Sequence, residues 1–314
     1  MQLREKFILG IDALAEKAEI HLTHISSIKL EKCNCKFNLS KWNMDENIKL
    51  IIKENLKKSI RKFFNNKKVK NYQILDEIFP NERRIRSLIG GLETSLGTTF
   101  WEPISKTLAE INGFEIIKEK ILIPHPFPAI LQNELDKLVY EREYKPNNQI
   151  ISTEECIERL RNAATKINPQ NITEYISPPK GTGIDIHLSK DGVEYIFDIK
   201  TAQPNQADFQ KFNKQMLQWY AYKLAKNTNA NLEARIAIPF NPFTKSWYEQ
   251  QKSKLINCSL DVNRDIWVEN EFWDFCSGTE NTFEQLQLLF VELGQENFAE
   301  EFYDIFYQNK SSES

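Results

Sequence analysis

"GIDIHLSKDGVEYIFDIK", residues 183–200, holds two short runs in which apolar and polar residues alternate, joined at Asp191-Gly192. Alternation with a period of two marks half-buried strands, and Asp-Gly between such runs is a strong hairpin signal, because a type I′ turn requires positive φ at both central residues. If Lys190 pairs with Val193, each step back along the first strand matches one step forward along the second, and Asp185 comes to face Asp198. Directly opposed residues of this kind set their Cβ atoms about 5 Å apart. The same period puts Lys200 on the face of Asp198, and Phe197 and Ile199 on the other.

Two ionised carboxylates so close repel, and one tends to take up a proton unless a cation lies between them. A divalent ion with oxygen ligands removes the conflict, and magnesium suits it, using one or two carboxylates, several waters and a substrate phosphate. The lysine can then orient or deprotonate a water and stabilise negative charge developing on a phosphate. A plainer reading makes the aspartates hydrogen-bonded structural groups near strand ends, with Lys200 as their salt-bridge partner.

The 314 residues are 41% hydrophobic and 27% charged, an ordinary globular composition, and the formal net charge of -3 gives no global signature of polyanion binding. Local asymmetry does exist: from Lys53 to Lys70 eight cationic side chains accompany one glutamate, whereas the chain from Glu280 onward is acidic. Phe63 and Phe64 lie within that basic run, which reads either as a DNA-contacting helix or as a solvated helix face. No apolar run is long enough for a membrane span, and the charged N-terminal stretch is unlike a signal peptide. With five cysteines, an odd count better suited to reduced thiols, a cytoplasmic protein is expected.

The apolar spacing predicts a helical N-terminal region over residues 1–80, then a second domain over 81–314. Within it, Pro103 opens a helix that Gly113 ends, FEIIKEKILIP is β-rich, and two helices form an insertion at about 130–168. After the hairpin come an amphipathic helix over about 206–226, a buried strand in LEARIAIPF, a strand in DIWV and an acidic, aromatic-rich helical C-terminus. The expected fold class is α/β (α+β), with a central mixed sheet flanked by helices.

At Gly183-Ile184-Asp185 and Asp198-Ile199-Lys200 the chain resembles the PD-(D/E)xK nuclease superfamily. The resemblance departs from the named pattern in one respect, since no proline precedes Asp185; the nearest are Pro178 and Pro179. It spans about residues 87 to 240 and implies a core ordered helix, strand, strand, strand, helix, strand. It also implies metal binding by Asp185 and Asp198, a catalytic role for Lys200, and an acidic ligand from the first helix. Gly97-Thr-Thr-Phe-Trp-Glu102 has the look of that element, so Glu102 is the further catalytic and metal candidate, with Glu93 its competitor. On one straight helix, nine residues would turn these two glutamates onto opposite faces.

The remaining features resemble a type II restriction endonuclease in particular. The segment after Lys200 offers Gln203, Asn205, Gln206, Gln210, Asn213, Lys214 and Gln215 for DNA contact, with Phe209, Phe212, Met216, Tyr220 and Leu224 as the stripe that seats the helix. Amides pair with adenine edges and Lys with guanine, although any one of these residues reads equally as solvated helix surface. "LETSLGTTFWEP" and "DIKTAQPN" resemble segments of enzymes that cut short GG-centre-CC palindromes. The resemblance implies Mg²⁺, with Mn²⁺ as a substitute, double-stranded DNA as substrate, a homodimer and a separately encoded methyltransferase. Its rivals are a structure-specific repair or recombination nuclease of the same fold and a non-catalytic DNA-binding module. His21, His24, Cys33 and Cys35 have the residue types of a zinc site but the spacing of no standard finger. His187, on the Asp185 face, reads first as a packed histidine.

Overall fold

The computed structural model describes residues 45–65, 74–145, 149–179, 181–200 and 204–307. His21, His24, Cys33, Cys35 and Gln203 lie outside these residues, as does the distal part of the basic run. Contacts gather residues 44–314 into one compact unit.

Its centre is a five-stranded mixed sheet. The strands are β1 (Glu115–Ile116), β4 (Ile186–Lys190), β5 (Val193–Ile199), β6 (Leu232–Ile238) and β7 (Ile266–Val268), adjacent in that order. β1 and β4, and β4 and β5, run antiparallel; β5, β6 and β7 are parallel. A separate ribbon pairs β2 (Ile123–His125) with β3 (Glu174–Ile176). Lys190 pairs with Val193 and Ile186 with Phe197, so the hairpin has the register that its Asp-Gly turn dictates. Asp191 and Gly192 both take the left-handed conformation that such a turn requires, with φ of 52° and 77°.

Helices cover both faces, so most of β5 and β6 is buried on both sides although their sequences alternate as half-buried strands do. On the face of Ile196, Ala234 and Ile236 lie α4 (Ala129–Tyr144), α5 (Thr153–Ala164) and α6 (Gln206–Lys226). α6 begins in a capping box, in which Asn205 accepts from the amide of Asp208 while the Asp208 carboxylate accepts from that of Asn205. Phe209, Phe212, Met216, Tyr220 and Leu224 all point into this core. On the face of Phe197, Ile199 and Ala237 lie α1 (Glu46–Asn65), α2 (Pro80–Leu96), α3 (Glu102–Ile111), α7 (Asn270–Ser277) and α8 (Thr282–Gln295).

Three features tie the layers together. Arg142 of α4, wholly buried, donates to Asn213 of α6, Asp265 beside β7 and Thr153 of α5, and Thr153 donates to Asp265 at 2.7 Å. This network fastens the helical insertion to the sheet, and a buried pair so fully hydrogen-bonded is costly to break. Next, the basic residues of α1 face the acidic end of the chain: Lys53 reaches Glu292 and Glu296, each at 2.7 Å, Lys57 reaches Glu296 at 3.0 Å, and Arg61 reaches Glu301 at 2.7 Å. The opposed charge blocks of the sequence are thus partners of each other. Lys53, Lys57 and Arg61 are thus ion-paired within the protein, whereas Lys58 and Lys62 stay exposed. Last, α2 runs into α3 through a π-helical segment, Gly97–Trp101. Its extra residue rotates the helix by about 100°, so Glu93 and Glu102 are not on opposite faces as a straight helix would set them. Among the described residues no helix is long and apolar enough to cross a membrane.

Candidate active site

At the open end of the hairpin, β4 stops one residue short of Asp185. The chain still follows the ladder there, because the amide of Asp185 donates to Phe197 O at 3.2 Å. The carboxylate of Asp185 then turns inward and accepts from the amide of Ile199 at 2.8 Å through Oδ2. Asp198, on the neighbouring strand, lies within hydrogen-bonding reach of it. Lys200 has left the strand, but its amide still donates to Ala237 O, which holds the backbone in line with β6. Its ammonium lies 2.7 Å from both oxygens of Asp198, donating to Oδ1; Oδ2, equally near, accepts no hydrogen bond. The ring of Phe212, nearly two turns into α6, has its centroid 5.3 Å from Lys200 Nζ, a cation–π distance.

Asp198 is only 3% exposed. Burial first, and Asp185 after it, push its carboxyl up to about 7 against the opposing pull of Lys200. Lysine alone therefore does not neutralise the pair. A second cation would, and the donor set fits one: two carboxylates on one face, within hydrogen-bonding reach of each other beside a single ammonium, are suitable ligands for a hard divalent ion. Among the described residues no three His, Cys, Asp or Glu side chains gather into a single ligand cluster. Two carboxylates are a number magnesium accepts when water and phosphate supply the rest.

The two aspartates line a cavity of about 580 Å³, together with Lys200, Lys211 and Phe212 of α6, and Thr98 of the π segment. An adjoining cavity of about 510 Å³ shares Asp185 and contains Glu102, Lys106 and His187. Glu102 thus lines a cavity in common with Asp185, with its carboxylate held by Lys106 at 2.6 Å. Glu93 is exposed on α2 and lines neither cavity. His187, 6% exposed, is packed as its strand position implies. Its Nε2 meets Glu194 at 2.6 Å, and Glu194 accepts in turn from Lys223. The hydrogen bond to His187 leads in holding the Glu194 carboxyl down, to about 2, with Lys223 assisting.

The proposed base-reading residues divide. Gln206, Gln210 and Lys214 form an exposed stripe on α6, and Asn205 is exposed at its cap with its side-chain oxygen committed to Asp208. Asn213 must be corrected: it is completely buried and accepts from Arg142, so it belongs to the core network and cannot reach DNA. Gln215 is buried as well, its amide directed at Gly183 O at 3.3 Å. Sequence reasoning passed over Lys211, the exposed α6 lysine that does line the cleft. The signal was available, because Lys211 precedes the buried Phe212 by one residue and so sits at the edge of the apolar stripe.

A family model for "Type II restriction endonuclease, HinfI" matches residues 42–294. Among characterised relatives, the type II restriction enzyme MjaII of Methanocaldococcus jannaschii is 22% identical over 219 residues, covering 68% of this chain and 55% of the relative. The type II restriction enzyme HgiCII of Herpetosiphon aurantiacus is 23% identical over 219 residues, covering 69% of this chain and 75% of the relative. HgiEI of the same organism is 23% identical over 229 residues. The chain therefore spans about half the length of the M. jannaschii enzyme it matches. No solved structure matches it.

Proposed function

The chain belongs to the HinfI family of type II restriction endonucleases, and on that premise we propose that it hydrolyses phosphodiester bonds in double-stranded DNA at a short specific sequence, with Mg²⁺ as cofactor. The observation that carries the reading is the hairpin that sets Asp185 against Asp198 with Lys200 beside them, the arrangement of a PD-(D/E)xK site. Asp185 and Asp198 would hold Mg²⁺, or Mn²⁺ in its place; when bound, the ion supplies Lewis-acid stabilisation of charge on the phosphate.

The side chains of this protein do the rest. Lys200 is a pure donor, held at the cleft wall by Asp198 and the ring of Phe212, where it positions the attacking water and offers protons to the phosphate oxygens. Glu102 acts across the adjoining cavity through water, since Lys106 already engages its carboxylate. Gln206, Gln210 and Lys214 present amide and ammonium groups for reading base edges, beside Asn205. Cleaving both strands of a palindrome, in this reading one of GG-centre-CC form, requires two equivalent sites, which makes a two-fold homodimer the expected assembly. Cytoplasmic DNA in the same cell then needs protection by a separate methyltransferase.

Incubation with plasmid and phage DNA, in Mg²⁺ or in chelator, tests the reading. Discrete fragments in Mg²⁺ alone are expected. Random nicking or preference for branched DNA would instead indicate a repair nuclease, and binding without cutting a binding module. Full cleavage by Lys200→Ala would overturn the assignment of the site.

A further inference from the structure

The two cavities beside the aspartates are separated by one low wall, the segment of Gly181, Gly183, Ile184 and Asp185, which lines both. We propose that the backbone of one DNA strand crosses this wall, and that Lys211 on one side and Lys118 and Lys120 on the other hold the phosphates flanking the one that is cut. The proposal rests on the nuclease reading and adds substrate contacts to that site.

The charges of the two cavities sort into engaged and free groups. Lys106 is taken by Glu102, Lys200 by Asp198, and the Asp208 carboxylate by the amide of Asn205. Lys118, Lys120 and Lys211 are exposed, and none of their ammonium groups meets a hydrogen-bond or ion-pair partner among the described residues. Against these three ammonium groups stands one acidic side chain without a partner, Glu119. Lysines left free along a cleft are suited to a polyanion, because each neutralised phosphate releases counterions.

The wall itself carries the second observation. A Cβ added at Gly181 or Gly183 would meet nothing within 4 Å; the φ of 81° calls for glycine at 181, but neither backbone conformation nor packing inside the protein calls for one at 183. Their missing side chains lower the wall toward the cavities, which allows a ligand backbone to approach closely. At Gly183 the φ angle is also one that any residue adopts, so a larger side chain there fills the crossing without straining the fold. At about 580 and 510 Å³, each cavity falls within the range of about 300–1,000 Å³ typical of ligand sites.

The test uses the full chain and a 25-bp duplex of arbitrary sequence in chelator, with Kd measured from about 50 to 200 mM salt, the range over which phosphate contacts show. Lys118→Ala/Lys120→Ala/Lys211→Ala is expected to reduce the slope of log K against log salt by about 2–3, at about 0.9 per lost contact. Lys137→Ala/Lys166→Ala, on the α4–α5 surface, is expected to leave it unchanged. Gly183→Val, with unaltered circular dichroism and melting, is expected to weaken binding at every salt concentration at constant slope. A triple variant that keeps the wild-type slope overturns the proposal, as does a control pair that loses as much. Wild-type protein that never cuts DNA in Mg²⁺, while the triple variant loses slope, sinks the nuclease reading and leaves the track standing.

Discussion

Replacing Asp198 by asparagine should cripple cleavage while making the metal-free protein more stable. The carboxyl of Asp198 is pushed up to about 7 in the folded chain, by burial first and by Asp185 after it. Unfolded, it returns to about 3.9. The folded value being the higher, the unfolded chain gives up its proton first as pH rises. Below about pH 4 both states are protonated and no penalty exists; stability then falls through the interval up to about pH 7, above which the whole loss is present. Three units correspond to about 4 kcal/mol. Asparagine has nearly the same shape and no charge at any pH. Urea unfolding in chelator should therefore give matching stabilities for wild type and Asp198→Asn near pH 4, and an advantage of about 3–4 kcal/mol for the variant at pH 8. Mg²⁺ should recover much of the difference for the wild type, about 2.7 kcal/mol at a hundredfold excess over Kd, and leave the variant unmoved. Cleavage should fall by about 10²–10³ or more. A variant no more stable than wild type at pH 8 in chelator would show that Asp198 is not a desolvated charge awaiting a cation, and the reasoning would fail.

Other parts of the structure yield separate expectations. Phe212→Leu removes the ring over Lys200 and should lower kcat by about fivefold, taking cation–π stabilisation at about 1 kcal/mol, with KM little changed, whereas Phe212→Tyr should retain activity. Arg142→Met strips buried Asp265 of its nearer cation, leaving Arg264 at 3.5 Å, and should cost about 3 kcal/mol in urea unfolding; a cost under about 1 kcal/mol would deny the network its role. Gly192→Ala places a side chain at φ 77° and should lower stability by about 1–2 kcal/mol by thermal melt, without any clash to relieve. Glu194, held down to about 2, stabilises the fold fully above about pH 4.5 and progressively less as pH falls toward 2. Allowing for partial exposure, that contribution is about 1–3 kcal/mol, and Glu194→Gln should flatten the acid limb of the stability curve.

Where one physical rule acted locally, the structure could be read in advance. The Asp-Gly turn and two-residue period sufficed for the hairpin register and for the meeting of Asp185, Asp198 and Lys200. The stripe from Phe209 to Leu224 foretold α6 and its seat, since an amphipathic helix must bury one face. Residues whose role depends on distant partners were less legible. Asn213 looked like helix surface because nothing near it in sequence announces Arg142, which lies 71 residues earlier. The basic run looked ready for phosphate because Glu292, Glu296 and Glu301 approach it only once the chain has folded. The short strand β3 and the helix α7 escaped notice, the former being too brief to show a period and wholly exposed. The π segment could not be foreseen from GTTFW, and it changes how Glu93 and Glu102 stand to each other.

Both aspartates sit on a single hairpin whose turn is two residues long, so the distance between them is fixed by the pleat of neighbouring strands. That spacing does not depend on how the helical layers dock. Loops, surface helices and the ribbon β2–β3 can drift in sequence, lengthen or be exchanged while the reactive groups keep their separation. A scaffold of this kind lets the surface diverge while the two carboxylates keep their place, which fits a chain that stays recognisable beside relatives at little over a fifth identity.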